Sequence, residues 1–172
     1  MNTTVGNLEK GNFDTIAIMR DVARKRAAHP KVRQLVLSIL NENGVKSHDF
    51  IDEAIALGTF VRDNVRYVRD PNDIEQLHDP LFLINQISSG TARGDCDDQA
   101  LLLSTMLLSI GAQPFFCICR YREMSGPFNH IYTVVYETNW GSKRERLVLD
   151  TIIRDNPMGT EVPSVSRMEI PV

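Results

Sequence analysis

The chain has 172 residues, 42% of them hydrophobic and 24% charged, a length and balance that can bury a core and that do not describe a disordered chain or a fibre. Its formal net charge is −3, and its Lys and Arg residues are scattered except for "RKR" at Arg24 to Arg26. That excludes a general attraction to nucleic acid or to an anionic membrane, and on a helix the short basic run reads as a solvated face.

The start, "MNTTVGNLEKGNFDT", has no apolar segment like that of a secretory signal, and no apolar run approaches the roughly 20 residues needed to cross a bilayer. The expectation is a cytoplasmic protein. Three cysteines, Cys96, Cys117 and Cys119, are too few and too odd in number for a disulfide framework, so reduced thiols are expected.

In chain order, "DTIAIMRDVARKRAAH" (Asp14 to His29) carries apolar residues at helical spacing, with Pro30 ending that helix or opening the next. A second helix, "KVRQLVLSIL", stops in the turn-like "NENG". Ser47 reads as N-cap of "HDFIDEAIALGTFVRDNVRY", where Phe50, Ala54, Leu57 and Val61 fall on one stripe. Residues 1–59 are thus expected to be a helical scaffold. The polar "VRDPNDIEQLHDP" precedes a short helix at "PLFLINQI" and the loop "SSGTARGD".

From Cys96 to Ile110 the chain holds no Gly or Pro and is apolar on nearly every side, ending at Gly111 with Pro114 beyond. This predicts a central helix covered on more than one face. Strand periodicity follows in "PFFCICRY", "HIYTVVYE" and "RERLVLDTI", with "TNWGSK" as a hairpin turn. The tail, residues 153–172, has three prolines and is expected to be extended and irregular. The order predicts one domain over residues 1–172 of class α+β: N-terminal helices and a Cys-bearing helix packed on an antiparallel sheet of at least three strands.

Asp95 is a good N-cap for the central helix, which puts Cys96 in its first turn, where unpaired N–H groups and the helix dipole favour a thiolate. Asp97 and Asp98 oppose this, since nearby negative charge raises a thiol pKa, so the cysteine needs a cationic partner. If the hairpin turn is a three-residue loop centred on Trp140, His130 lies opposite Asp150, Ile131 opposite Leu149, Tyr132 opposite Val148, Tyr136 opposite Arg144 and Glu137 opposite Lys143. Facing Cβ atoms are then roughly 4.5 to 5.5 Å apart. A loop of another length would shift that register.

With the sheet on the central helix, Cys96 as nucleophile, His130 as general acid/base and Asp150 as orienter would form a triad. The Cys96 N–H is a natural oxyanion donor. Tyr67, with Gln76 and Gln86 as rivals, is the candidate for a second. His29, His48 and His78 read as surface or cap residues, with His78 the one rival triad histidine, and Cys117 and Cys119 read as core thiols. No metal is expected, because successive helix residues diverge by about 100° and Cys96, Asp97 and Asp98 do not readily converge. No organic cofactor is expected either.

"GDCDDQALLLSTMLLSIGAQP" resembles the nucleophile motif of the transglutaminase-like superfamily, a branch of the papain-like fold, with Gly94, Cys96, Asp98, Ala100, Leu102 and Gly111 matching its pattern. "NHIYTVVY" is similar to its histidine motif and "LVLDTI" to its aspartate motif. The segment "FVRDNVRYVRDPNDIEQLHDP" looks like the helix and loop leading into such domains. The resemblance covers residues 60–152. It departs at Tyr132, where the family often has Trp, and at Thr151, where it often has Pro.

The resemblance implies cysteine acyl transfer on a protein or peptide, either hydrolysis of a peptide or isopeptide bond or transfer of a glutamine acyl group to an amine or water. The small bacterial and phage members of the family raise a second reading, a virion or assembly protein that keeps the fold to bind its neighbours.

Overall fold

A computed structural model describes residues 8–70, 76–121, 128–137 and 145–172, without the side chains of residues 8–12 and 137. Helix α1 (Leu8–Ala27) begins ahead of the expected Asp14, and Ile16, Met19 and Ala23 bury its inner face. The basic run at its end is more than a solvated face. Arg26 Nε donates to Asp79 Oδ2 at 2.8 Å, and Arg24 Nη2 to the Val172 carbonyl at 3.2 Å.

Helix α2 (Pro30–Glu42) starts with proline at its first position, where a missing N–H leaves nothing unsatisfied, and the His29 side chain caps it by accepting from the Lys31 N–H. Helix α3 (Phe50–Asn64) is capped by Asp49 and not by Ser47, because the chain turns at His48, whose φ is +68°, and only then enters the helix. Ala54, Leu57 and Val61 bury its inner stripe. It ends short of the expected Tyr67, since Val65 is already extended and Arg66–Tyr67 form a two-residue strand, β1.

Helix α4 (Pro80–Ser88) is capped by Asp79, and after it strand β2 (Arg93–Gly94) pairs with β1 in parallel, Tyr67 facing Gly94. Helix α5 (Cys96–Ser109) follows at once and is buried without a break from Asp98 to Leu107. Such a helix has no polar face because α1, α2, α3 and α4 surround it on one side and the sheet covers the other. It stops at Gly111, whose φ of +86° favours glycine, while the Ala112 N–H closes back on the Leu107 carbonyl at 3.1 Å.

Strands β3 (Phe115–Arg120), β4 (His130–Glu137), β5 (Glu145–Leu149) and β6 (Ser166–Pro171) form one antiparallel sheet in the order β5-β4-β3-β6. The protein is therefore α+β, with a Cys-bearing helix on an antiparallel sheet. The tail is not irregular as expected: residues 166–171 add a fourth strand along β3, with Ile170 facing Phe116 and Met168 facing Ile118. Its prolines hide this, but Pro171 lies at the end of an edge strand, a place where a missing N–H is tolerated.

The β4–β5 register also differs from expectation, by two residues. Val134 faces Val148, Thr133 faces Leu149, Tyr136 faces Arg146 and Glu137 faces Glu145. The expected turn around Trp140, with Lys143 and Arg144, lies outside the described residues. A shift of two leaves every side chain on its expected face, because strand side chains alternate with period two.

One sheet face, with Phe116, Ile118, Ile131, Val135 and Leu149, joins the helical core. Thr133 docks there by donating to the Ala100 carbonyl at 3.3 Å and meeting Ser104 Oγ at 3.2 Å. The opposite face carries a smaller core of Cys117, Cys119, Tyr132, Val134 and Val148. Arg146, Glu161 and Glu169 cover it with ion pairs at 2.7 Å.

Candidate functional site

Asp95 caps α5 as expected: its Oδ1 accepts from the N–H groups of Asp97 and Asp98 at 3.1 and 3.3 Å. Cys96 stands at the first helical position, and its own N–H is not one of the two the cap takes up. The thiol is half-buried against Ile131 and its neighbours. Its Sγ donates to Asp97 Oδ1 at 3.4 Å, and the backbone N–H of Ile131 is directed at it. Burial first, then the Asp97 and Asp95 carboxylates, push the thiol pKa well up, with the Ile131 N–H acting in the opposite sense. A thiolate here needs a cation beside it.

The residue before Ile131 is His130. Its Nε2 lies 2.8 Å from Asp150 Oδ2, and both side chains are almost wholly buried. Asp150 also accepts from the Ile152 N–H at 3.0 Å and from the Tyr121 hydroxyl at 3.4 Å. With the register displaced by two, Asp150 is diagonal to His130 and not directly opposite, a separation that two side chains of this length still span.

Because successive strand residues alternate, Ile131 faces α5 while His130 lies on the face of Tyr132 and Cys119. Ile131, which touches the thiol, and His130 are thus adjacent along β4 but on different faces, and no hydrogen bond joins thiol to imidazole; the thiol proton goes to Asp97. The His130 ring lies between two tyrosines, with centroids 5.4 Å from Tyr121 and 5.7 Å from Tyr132. Cys119, opposite His130, is a buried free thiol whose pKa burial pushes up to about 11.

Sequence reasoning treated Asp98 as a second carboxylate acting on Cys96, and the structure assigns it elsewhere. Asp98 is fully buried, its Oδ1 accepts from the His78 N–H at 2.7 Å, and its Oδ2 lies 2.7 Å from His78 Nδ1. His78 is therefore a half-buried clamp between α5 and the segment before α4, stacked on Phe82. His29 is a cap and His48 is exposed.

Tyr67 pairs with Gly94, two residues before Cys96, and its pKa is raised by burial and then by Cys96 and Asp95. The Gln76 N–H donates to Asp70 Oδ2 at 2.5 Å, and Gln86 keeps a buried Oε1 with no hydrogen-bond partner among the described residues. Gln99, passed over in the sequence because it lies within the apolar run, is buried, with Nε2 reaching the Val65 carbonyl at 3.4 Å. Ligand atoms of Asp95, Cys96 and Asp97 lie within 4.8 Å of one another. This trio differs from the set weighed in the sequence, with the cap residue Asp95 in place of Asp98, which turns away to His78.

The chain is α+β, with a cysteine at the start of its central helix and a buried His–Asp pair on the sheet that covers that helix. Among solved structures it is similar to Legionella pneumophila LapG, at 14% identity and a TM-score of 0.48, over 87% of this chain and 83% of that one. It is also similar to EGTA-treated Legionella pneumophila LapG, at 15% identity and a TM-score of 0.47, over 82% and 74%. No protein-family model and no curated protein matches the chain. Among the described residues, no helix is long and apolar enough to cross a membrane.

Proposed function

We propose that this protein is a cysteine-dependent acyl-transfer enzyme of the transglutaminase-like kind, acting on a protein or peptide. Cys96 is the nucleophile, His130 the general acid/base and Asp150 the residue that orients it. The observation that carries the reading is the buried His130–Asp150 pair at 2.8 Å, set one residue from the backbone N–H that faces the Cys96 thiol.

Asp150 occupies Nε2, which leaves Nδ1 as the nitrogen to take the thiol proton. The thiol must first leave Asp97. The thiolate then attacks the acyl carbon, the carbonyl π electrons move to oxygen, and the Cys96 N–H at the helix start stabilises that oxyanion. As the tetrahedral intermediate collapses, the C–N bond breaks and the imidazolium gives its proton to the leaving amine. Water or a second amine, deprotonated by His130, then releases the acyl group from sulfur.

The test is alkylation of Cys96 by iodoacetamide across pH. Reaction well below the free-thiol value of about 8.5, lost in His130→Ala, is the expected result. A Cys96 inert in the folded protein up to pH 9 would sink the proposal. The assembly reading makes the opposite prediction, unchanged biological function in Cys96→Ser and failure when residues of the N-terminal helices or of β6 are cut.

A further inference from the structure

One hydrogen bond to Asp150 fixes His130 Nε2 but leaves the imidazole able to tilt about that bond. What limits the tilt is its neighbours. Tyr121 and Tyr132 flank the ring, each with its plane at 33° to the imidazole. Tyr121 is tied to the same Asp150. Tyr132 is tied elsewhere: its hydroxyl donates to Glu161 Oε1 at 2.6 Å.

Glu161 does not move freely either. Arg146 Nη2 holds the same Oε1 at 2.7 Å, and Arg167 Nη1 holds Oε2 at 2.7 Å. Arg146 also reaches Glu169 through Nε at 2.7 Å, and Glu169 takes the Tyr136 hydroxyl at 2.5 Å. Glu161 therefore joins β5, β6 and the tyrosine that flanks His130, from the side of the sheet away from α5.

We infer that Glu161 is a positioning residue for His130, acting through the Tyr132 hydroxyl, so that the C-terminal segment sets the orientation of the acid/base group. The inference rests on the role proposed for His130 but concerns a geometry that can be read without turnover. It also gives the departure at position 132 a purpose: a tyrosine there carries the hydroxyl that Glu161 holds. Near-attack alignment is sensitive to small displacements, and a misplacement of about 1 Å can slow a reaction by up to about a hundredfold.

The experiment compares wild type with Tyr132→Phe, Glu161→Gln, which removes the charge that holds the Tyr132 hydroxyl, and, as a control, Glu169→Gln, which weakens the Tyr136 end of the network in the same way. Nitrogen-15 histidine spectra report the tautomer of His130 and the exchange rate of its ring proton, and iodoacetamide reports Cys96. Wild type is expected to show His130 protonated at Nε2 with slow exchange. Tyr132→Phe and Glu161→Gln should speed that exchange about tenfold and move the alkylation midpoint to higher pH, with Glu169→Gln matching wild type.

Unchanged His130 exchange in Tyr132→Phe and Glu161→Gln, both folded, would overturn the inference. If either variant fails to fold, the other decides. Should Cys96 be inert in wild type while His130 still responds to both substitutions, the positioning stands and the acyl-transfer proposal falls.

Discussion

At Gly94, two residues before the cysteine, an added Cβ would lie 2.6 Å from Asp98 Cβ and 2.7 Å from its Oδ2. Asp98 cannot give way, because it is fully buried and bonded to the His78 backbone and ring. Gly94→Ala should therefore lose about 1–3 kcal/mol by denaturant unfolding, as overpacking does, and should loosen the His78 clamp. Little of this is visible in the sequence. "GDCDD" shows a cap, a cysteine and two acids, but nothing in it says that the second acid turns away toward a histidine 20 positions earlier.

The N-terminus of α5 brings together carboxylates that a helix end favours and burial does not. Burial first, then Asp98 and Asp70, push the Asp95 carboxyl up to about 7 from an ordinary 3.8, and burial raises Asp98 as well. The folded protein thus holds the Asp95 proton where the unfolded chain has released it. This contribution to stability is complete below the ordinary value and is lost as pH rises through about 7. Glu161, lowered by Arg146 and Tyr132 despite its burial, acts the other way and only below its ordinary value of 4.5. Thermal melts between pH 5 and 7 should therefore fall with rising pH, and Asp95→Asn, which keeps a capping side chain, should flatten them. A slope unchanged in Asp95→Asn would count against this account.

At the same scale, α5 and three of the four strands were legible because their signals are local: an Asp cap, an apolar run without breakers, and alternating β-branched residues. β6 was not, because its pattern is short and sits among prolines, and its partner β3 lies about fifty residues earlier. The two-residue pair β1–β2 was hidden for a similar reason, since two residues carry no periodicity.

Across the whole molecule, the proposed site draws on parts that share no neighbourhood in the chain. α5 supplies the thiol, β4 the imidazole, the end of β5 the carboxylate, and residues 161–169 the network behind them. The expected triad residues could be listed from the sequence, but their arrangement on two faces of one strand depends on tertiary register. That register came out two residues from the expected one and still brought His130 to Asp150. An even displacement preserves the face, so the prediction of contact was less fragile than the prediction of pairing.

The strand order β5-β4-β3-β6 has a consequence for biosynthesis. β3 lies inside the finished sheet, yet the strand on one of its sides is the last of the four to be translated. Until residues 166–171 leave the ribosome, β3 offers an unpaired row of backbone groups, with Phe116 and Ile118 lacking their cross-strand partners. Ribosome-bound chains halted with β6 still in the exit tunnel should be cut by protease within residues 115–120, and chains extended by a linker that clears the tunnel should resist. Equal resistance of the two would mean that the three earlier strands already form a closed unit. For this protein, exposure of β3 to misassociation lasts from the translation of β3 until β6 emerges.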